Sequence, residues 1–282
     1  MLLSTVLAGL VVFAMMLGLY LRSRPILAIK PLFELITSST WRPLAGEFGL
    51  FPFIMGTLWV TAVAVAIAVP LSLLAAIYLS EYAHRRIREL MKPLIDVLAG
   101  IPSVVYGVWG ALAIVPLIKD HVAPAVGTFS TGYCVLAGGV VLAVMIVPVI
   151  IHVALEVLRT VPSEMRDASR AVGATEWQTV KHVVLRKALP GVIAAVVLGL
   201  SRAFGETMAV LMVVGNVARV PTSVLDPAYP LPALVANNYG EMMSIPLYDS
   251  ALLLACLVLL LVVILFNVAS SAVLIRVERS TR

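Results

Sequence analysis

Val161–Leu211 reads VPSEMRDASRAVGATEWQTVKHVVLRKALPGVIAAVVLGLSRAFGETMAVL. The first half is polar, Ala-rich and helix-forming. The second half is an apolar run of membrane-spanning length that carries Arg202 and Glu206, four residues apart. A charged side chain at the centre of a bilayer costs roughly 2.5 kcal/mol or more, so one retained there usually has a task. One stretch thus joins a segment suited to docking on a protein in water to a segment that puts two charges inside a membrane.

The rest of the chain supports that division. Of 282 residues, 61% are hydrophobic and 12% charged, and the mean hydropathy is +1.06. A soluble domain of this size cannot bury so much apolar surface, which makes the class all-α and polytopic in a membrane. The net charge of +5 comes from basic residues flanking apolar runs. There is no basic stripe interleaved with aromatics, so nucleic acid is excluded as a partner. Cys134 and Cys256 lie in apolar runs and read as small buried hydrophobes, with no CxxC or Cys/His spacing for a metal.

The apolar runs number six. Leu2–Tyr20 has about the length of one crossing; a leader peptide competes, but lacks a basic start and a small-x-small cleavage site. Leu21–Gly49 reads as a Pro-containing loop. Leu50–Leu79 is the second span, followed by the polar link SEYAHRRIRELMK. The third run, Pro93–Ile118, is broken at Ile101–Gly107 (IPSVVYG). Irregular backbone at membrane depth survives only against protein or water, so this segment is expected to face the interior, unless it is a simple Pro kink. Asp96 near its start either caps or sits at the interface, or lines a pathway. The fourth span is Tyr133–Leu155, the fifth Pro190–Val214 and the last Asp249–Val273. Between the last two lies the loop Asn216–Pro246. The two long loops are poor in charge and carry Pro and aromatic residues, Trp41 and Tyr229 among them. They suit either a docking surface or an external cap.

Lys and Arg set the orientation. With six spans, one side holds Arg85, Arg86, Arg88, Lys92, Arg159, Arg166, Arg170, Lys181, Arg186, Lys187, Arg276, Arg279 and Arg282, thirteen in all. The other holds Arg22, Arg24, Lys30, Arg42, Lys119 and Arg219, six. The richer side is cytoplasmic. Arg22 and Arg24, which follow the first span, dissent.

On that side, Ser163 follows Pro162 as an N-cap and Glu164 suits the first turn. Gly173 should stop the helix, and Thr175–Gln178 is a Thr-x-x-Gln capping box that starts another. Ala168 and Ala171 put small side chains on one face, which permits close approach of a partner. Without a partner the same pattern describes an amphipathic surface helix. DASRAVG, Asp167–Gly173, resembles the EAA-x3-G loop of ABC-importer permeases, the coupling helix that sits in a cleft of the cytoplasmic ATPase. Asp167, Ala168, Ser169 and Gly173 fall on the motif positions and Ala171 lies between them. Asp stands for Glu, Ser for the second Ala, and Arg186 for the usual Pro, with Pro190 four residues later.

GEFGLFPFIMGTL, AVPLSL with YLSEY, IPSVVYGVWG and GLSRAFGETMAV together resemble the PstC-type permeases of high-affinity phosphate importers, from Gly46 onward. ETMAV favours this type over the PstA-type sister. The resemblance implies a type I ABC importer permease in the inner membrane, residues 1–282 forming one domain with 161–188 as its coupling segment. The implied partners are a PstA-type permease, two ATPase subunits that bind the ATP, and an extracytoplasmic phosphate-binding protein. No cofactor, metal or catalytic residue belongs to the chain itself. The substrate pathway is assigned to Arg202 and Glu206, with Ser103 and Tyr106 in the broken run and Thr207 beside Glu206.

Guanidinium suits a tetrahedral oxyanion because it offers two parallel hydrogen bonds. At i,i+4, Arg202 and Glu206 are expected to share a helix face and pair, as part of the pathway or as a structural lock. Sulfate, molybdate or tungstate would satisfy the same chemistry. A secondary carrier would need no docking helix and usually shows repeated halves; no repeat is present. A membrane enzyme would need a catalytic set, whereas His84, His121, His152 and His182 are scattered. Co-purification of an ATPase separates importer from carrier, and activity of the chain alone would mark an enzyme.

Overall fold

A computed structural model describes residues 2–241 and 245–281. In lipid every backbone polar group must be satisfied within the protein, which favours helices. Among the described residues six helices are long and apolar enough to cross a membrane. In chain order the elements are α1 (Leu2–Ile29), α2 (Leu32–Thr37), the hairpin β1–β2 (Trp41–Arg42 and Glu47–Phe48), α3 (Phe51–Tyr82), α4 (Arg85–Gly100) and α5 (Ser103–Ala125). They continue as α6 (Val135–Arg159), α7 (Ser163–Ala171), α8 (Glu176–Gly205), α9 (Met208–Leu211), α10 (Leu231–Asn238) and α11 (Tyr248–Thr281). The spans are α1, α3, α5, α6, α8 and α11. Arg282 and the side chains of Arg276 and Arg279 lie outside the described residues, as does part of the loop expected at Asn216–Pro246.

The centre of the bundle is α6 packed against α3, the most extensive pairing in the molecule. Hydrophobicity does not drive one helix onto another in lipid, so close backbone approach through small residues does the work. Ala64, Ala68 and Ala76 of α3 meet Ala143 and Ala154 of α6 in one buried cluster. Gly139 is tightest: a Cβ there would lie 2.7 Å from Val63 Cβ. Ser72 adds a polar tie, its hydroxyl donating to the Val147 carbonyl at 3.3 Å. α8 packs on both α6 and α3, and α11 bridges α8 to α1.

Several boundaries differ from the sequence expectation. α1 runs on through Arg22, Arg24 and Pro25 to Ile29, so the loop read from Leu21 begins only after it. Ser23 is fully buried and turns its hydroxyl onto the Leu19 carbonyl at 2.6 Å, which lets a polar residue stay helical. Pro190 lies inside α8, which starts at the Thr175 capping box rather than at the proline. Prolines are tolerated within spans because neighbouring groups re-satisfy the freed carbonyls. The third run is interrupted at Ile101–Pro102 as expected, but α4 before it is amphipathic and begins at Arg85.

The two ends of the bundle are built differently. At the outer end Trp41 packs edge-on against Phe48 and Phe53, with ring centroids 5.6 and 5.0 Å apart, and Phe53 against Tyr229 at 5.3 Å. Tyr248 lies in the same buried cluster. These aromatics, which suited either a docking surface or an external cap, form the core that welds the hairpin and α10 to the spans, because their large apolar area favours burial over exposure. Thr57 of α3 accepts from the Leu231 backbone at 2.9 Å and joins α10 to the bundle. At the inner end α3 finishes in a wide π turn, Tyr78–Tyr82. Arg88 folds back and donates to the carbonyls of Leu79 and Ser80, each at 2.9 Å, supplying donors and positive charge to a helix C-terminus.

Two measurements check this arrangement. Gly139→Leu should destabilise the purified protein by about 1–3 kcal/mol through overpacking, seen as a lowered unfolding midpoint in detergent. Gly9→Ala, with no atom within 4 Å of the added carbon, should not. A cysteine replacing Leu44, which is highly exposed in the hairpin turn, should react with an impermeant thiol reagent on intact cells. One replacing exposed Val172 should not, and the reverse pattern would invert the orientation.

Candidate functional site

The first candidate site is the inner-face segment. α7 begins at Ser163 with Pro162 in the N-cap position and no side-chain cap, so Ser163 is the first helical residue and not the cap. The helix ends two residues before Gly173, whose φ of +88° is the left-handed conformation that glycine adopts without penalty. Gly173 N–H donates to the Arg170 carbonyl at 2.9 Å and Ala174 N–H to that of Ser169 at 3.2 Å. These two bonds are a Schellman stop. The capping box follows as expected: Gln178 N–H donates to Thr175 Oγ1 at 3.3 Å and Thr175 N–H to Gln178 Oε1 at 2.8 Å. The helix it starts is α8 itself, which runs through a π turn at Val180–Val184 into the membrane.

Asp167, Ala168, Ala171 and Gly173 are exposed, and around them Val172 is 85% and Trp177 56% exposed. Ser169 points inward, its hydroxyl 2.9 Å from that of Thr179 on α8. Arg166 is the residue that sequence reasoning passed over as one more inner-face charge. Its guanidinium donates to both Glu81 carboxylate oxygens, at 2.9 and 3.1 Å, and to the carbonyls of Val161 and Leu158, at 2.5 and 3.1 Å. The side chains are 17% and 9% exposed. The one available signal was an acid closing a long apolar run, in YLSEY.

The second candidate site lies where two spans break. Ile101 is extended, with φ −65° and ψ 131°, because the following proline disfavours the helical region. Pro102 has no N–H for the Leu98 carbonyl, and the Tyr106 hydroxyl takes that acceptor at 2.8 Å. Tyr106 is buried by this bond, and Ser103 opens α5 half-buried. The second break follows Gly205. Glu206 is extended, with φ −72° and ψ 127°, and ends α8. After Thr207 the chain resumes as α9, which packs on the first turns of α5. Gly107 permits this: a Cβ there would lie 3.1 Å from Ala209 Cα and 2.7 Å from Met212 Sδ.

The break overturns one expectation. Arg202 and Glu206 do not share a helix face, because Gly205 ends the helix between them. Glu206 Oε1 instead accepts from the Ala209 N–H at 3.2 Å and anchors α9. Arg202 is exposed and forms no ion pair among the described residues. Thr207 Oγ1 reaches only the Gly205 carbonyl, at 3.3 Å. Thus Arg202, Glu206, Thr207, Ser103 and Tyr106 come from two chain-distant breaks that α9 and α5 bring together. Asp96 neither caps nor stands alone: its carboxylate is 3.5 Å from His152 Nδ1 on α6.

A six-span bundle with interrupted spans, an exposed arginine at their meeting point and a helix–glycine–helix on its inner face defines the membrane-spanning subunit of a transporter. The family model for binding-protein-dependent transport system inner membrane components matches residues 68–282. The chain is 37% identical over 256 residues to the phosphate transport system permease protein PstC of Xylella fastidiosa strain 9a5c, covering 86% of this chain and 78% of that one. It is 30% identical over 273 residues to a probable phosphate transport system permease protein PstC of Methanocaldococcus jannaschii, covering 92% and 86%. Among solved structures, a bacterial alginate ABC transporter in complex with a periplasmic protein superposes with TM-score 0.65 at 14% identity, over 96% of this chain and 91% of that one. The inward-facing MetNI methionine ABC transporter gives 0.58 at 22% identity, over 88% and 98%. These last two show the fold, that of type I ABC importer permeases. The chain belongs to the family of binding-protein-dependent transport system inner membrane components, in its PstC-type branch, and is a multi-pass inner membrane protein.

Because Gly173 holds a left-handed φ, Gly173→Val should cost about 1–2 kcal/mol locally. Faster amide exchange across α7, with the spans unchanged, would report it.

Proposed function

We propose that this chain is the PstC-type half of an ATP-driven importer of inorganic phosphate. It would pair with a PstA-type permease, two ATPase subunits and an extracytoplasmic phosphate-binding protein. The chain itself would be non-catalytic and hold no cofactor, ATP being bound and hydrolysed by the partner subunits. Residues 1–282 would act as one permease domain, with 161–188 as the coupling segment. Phosphate as the cargo is supported by the names of the curated relatives. The mechanism rests on one observation, the Arg202 guanidinium exposed where the two interrupted spans meet.

In this reading the exposed face of Asp167, Ala168 and Ala171, flanked by Gly173, seats in the ATPase, while Ser169 keeps α7 joined to α8. ATP-driven closure of the ATPases shifts that segment and alternates the access of the bundle. Arg202 meets the anion as it passes, offering a planar fork of donors in a place of low dielectric. Exposure of the guanidinium within a span is tolerable only if it faces water or a second permease, not lipid. Glu206, Thr207, Ser103 and Tyr106 would shape the constriction by holding α9 against α5, and Glu206 adds a negative charge that keeps the anion from resting there.

Arg202→Ala should lower phosphate uptake by about ten- to hundredfold, the worth of a charged hydrogen bond of about 1.5–3 kcal/mol. Arg202→Lys should restore part of it. Uptake of radiolabelled phosphate, normalised to assembled complex and competed with sulfate, molybdate or tungstate, is the measurement. Near-normal uptake by well-assembled Arg202→Ala would end the pathway assignment, and background phosphate uptake beside robust uptake of labelled sulfate, molybdate or tungstate would change the cargo.

A further inference from the structure

The inner-face segment is bonded along the chain to two spans only. Thr160–Pro162 leads into it from α6, and Val172–Thr175 leads out to α8. α3 ends some 80 residues earlier in sequence, so only side chains can tie it to α7. The direct tie among the described residues is the doubly hydrogen-bonded Arg166–Glu81 pair.

The form of this tie matters. A guanidinium that meets a carboxylate through two parallel bonds resists rotation as well as separation. The same group donates to the Val161 and Leu158 carbonyls, so one side chain clasps the C-terminal ends of both α6 and α3. Ser80 donates at 2.7 Å to Glu81 Oε1, the oxygen that Arg166 Nη2 also holds. Arg88 holds the π turn that presents Glu81. The pair is largely buried, where losing one partner leaves an uncompensated charge.

α3 then connects this node to the broken spans. Thr57 precedes Glu81 by 24 positions on the same helix, a distance of about 36 Å at 1.5 Å per residue. There Thr57 and Thr61 line a narrow cleft with Ala203 and Glu206, and Thr57 holds α10 through the Leu231 N–H. A closely packed helix moves as a unit, so a shift applied at Glu81 arrives at the Glu206 break.

We propose that Arg166 and Glu81 are positioning residues, the joint by which α3 follows the coupling segment. This rests on the importer reading above. Through the joint, displacement of α7 reaches the Glu206 break along α3, in parallel with the direct route through α8. Without it α7 would still dock and α8 would still move, while α3 lagged behind, and ATP would be spent with less transport.

The test uses the assembled importer in proteoliposomes and reads ATP hydrolysed per phosphate imported. Glu81→Gln keeps the shape and removes the charge, and Arg166→Lys keeps the charge and removes the fork. Each should raise that ratio at least about fivefold, the low end of ordinary coupling factors. The reciprocal exchange, Glu81→Arg with Arg166→Glu, should return it toward the parent value. If Glu81→Gln does not assemble, Arg166→Lys decides by the same ratio. A parent ratio in assembled single variants overturns the joint. So does a loss of complex with an unchanged ratio per complex, which marks a purely structural cap. An exchange that assembles yet stays uncoupled overturns the assignment to this pair. Ala168→Glu on the exposed face separates the two levels: normal ATPase association and uptake in that variant would refute the docking reading itself, whatever the joint does.

Discussion

Unpaired backbone cannot face lipid, and the architecture follows from that constraint. The chain breaks its helical course at the ends of two spans, before Ser103 and after Gly205, and each break frees peptide groups. The answers are local and specific. The Tyr106 hydroxyl takes the carbonyl that Pro102 cannot serve. The Glu206 carboxylate takes an N–H at the start of α9. With those groups satisfied, the irregular segments still need protein against them, and they find it in one another, through the gap left by Gly107.

Small residues make the surrounding frame rigid enough to hold that junction. The α3–α6 seam closes through alanines and Gly139, which brings the two backbones close together. The outer end is sealed by the aromatic cluster around Trp41, Phe53 and Tyr229, and the inner end by arginines bound to helix C-termini. Apolar area does the first job and charge the second, as the surroundings dictate. Aromatic burial works where the chain can exclude water. Guanidinium caps work where helix ends emerge into it and carry partial negative charge.

Arg202 is the residue on which the proposed site turns, and unlike Arg88 and Arg166 it has no hydrogen-bond or ion-pair partner among the described residues. Arg88 and Arg166 spend their donors on carbonyls and on Glu81. Arg202 is left exposed beside the meeting point of the breaks, and in the proposed reading its donors serve the passing anion. The exposed face of α7 stands in the same relation to water. In the proposed reading both features are completed by partners in an assembled importer.

The sequence by itself determined the class, the number of spans, the helix–glycine–helix on the inner face and the identity of the charges in the membrane. Each of these rests on local pattern: apolar length, capping residues, a glycine at a stop, and a charge where none is expected. Tertiary structure decided the rest. By sequence Pro25 reads as part of a loop and Pro190 as the start of a span, yet both sit within helices, because neighbours in a bundle can serve the carbonyls a proline frees. Arg202 and Glu206 looked like a pair because spacing on an uninterrupted helix brings i and i+4 together, and Gly205 removes that geometry. Trp41 and Tyr229 suited a docking surface or a cap by composition, and the fold packs both against Phe53. The Arg166–Glu81 bond joins groups 85 residues apart, and no local pattern records it, since only the fold brings the end of α3 beside α7.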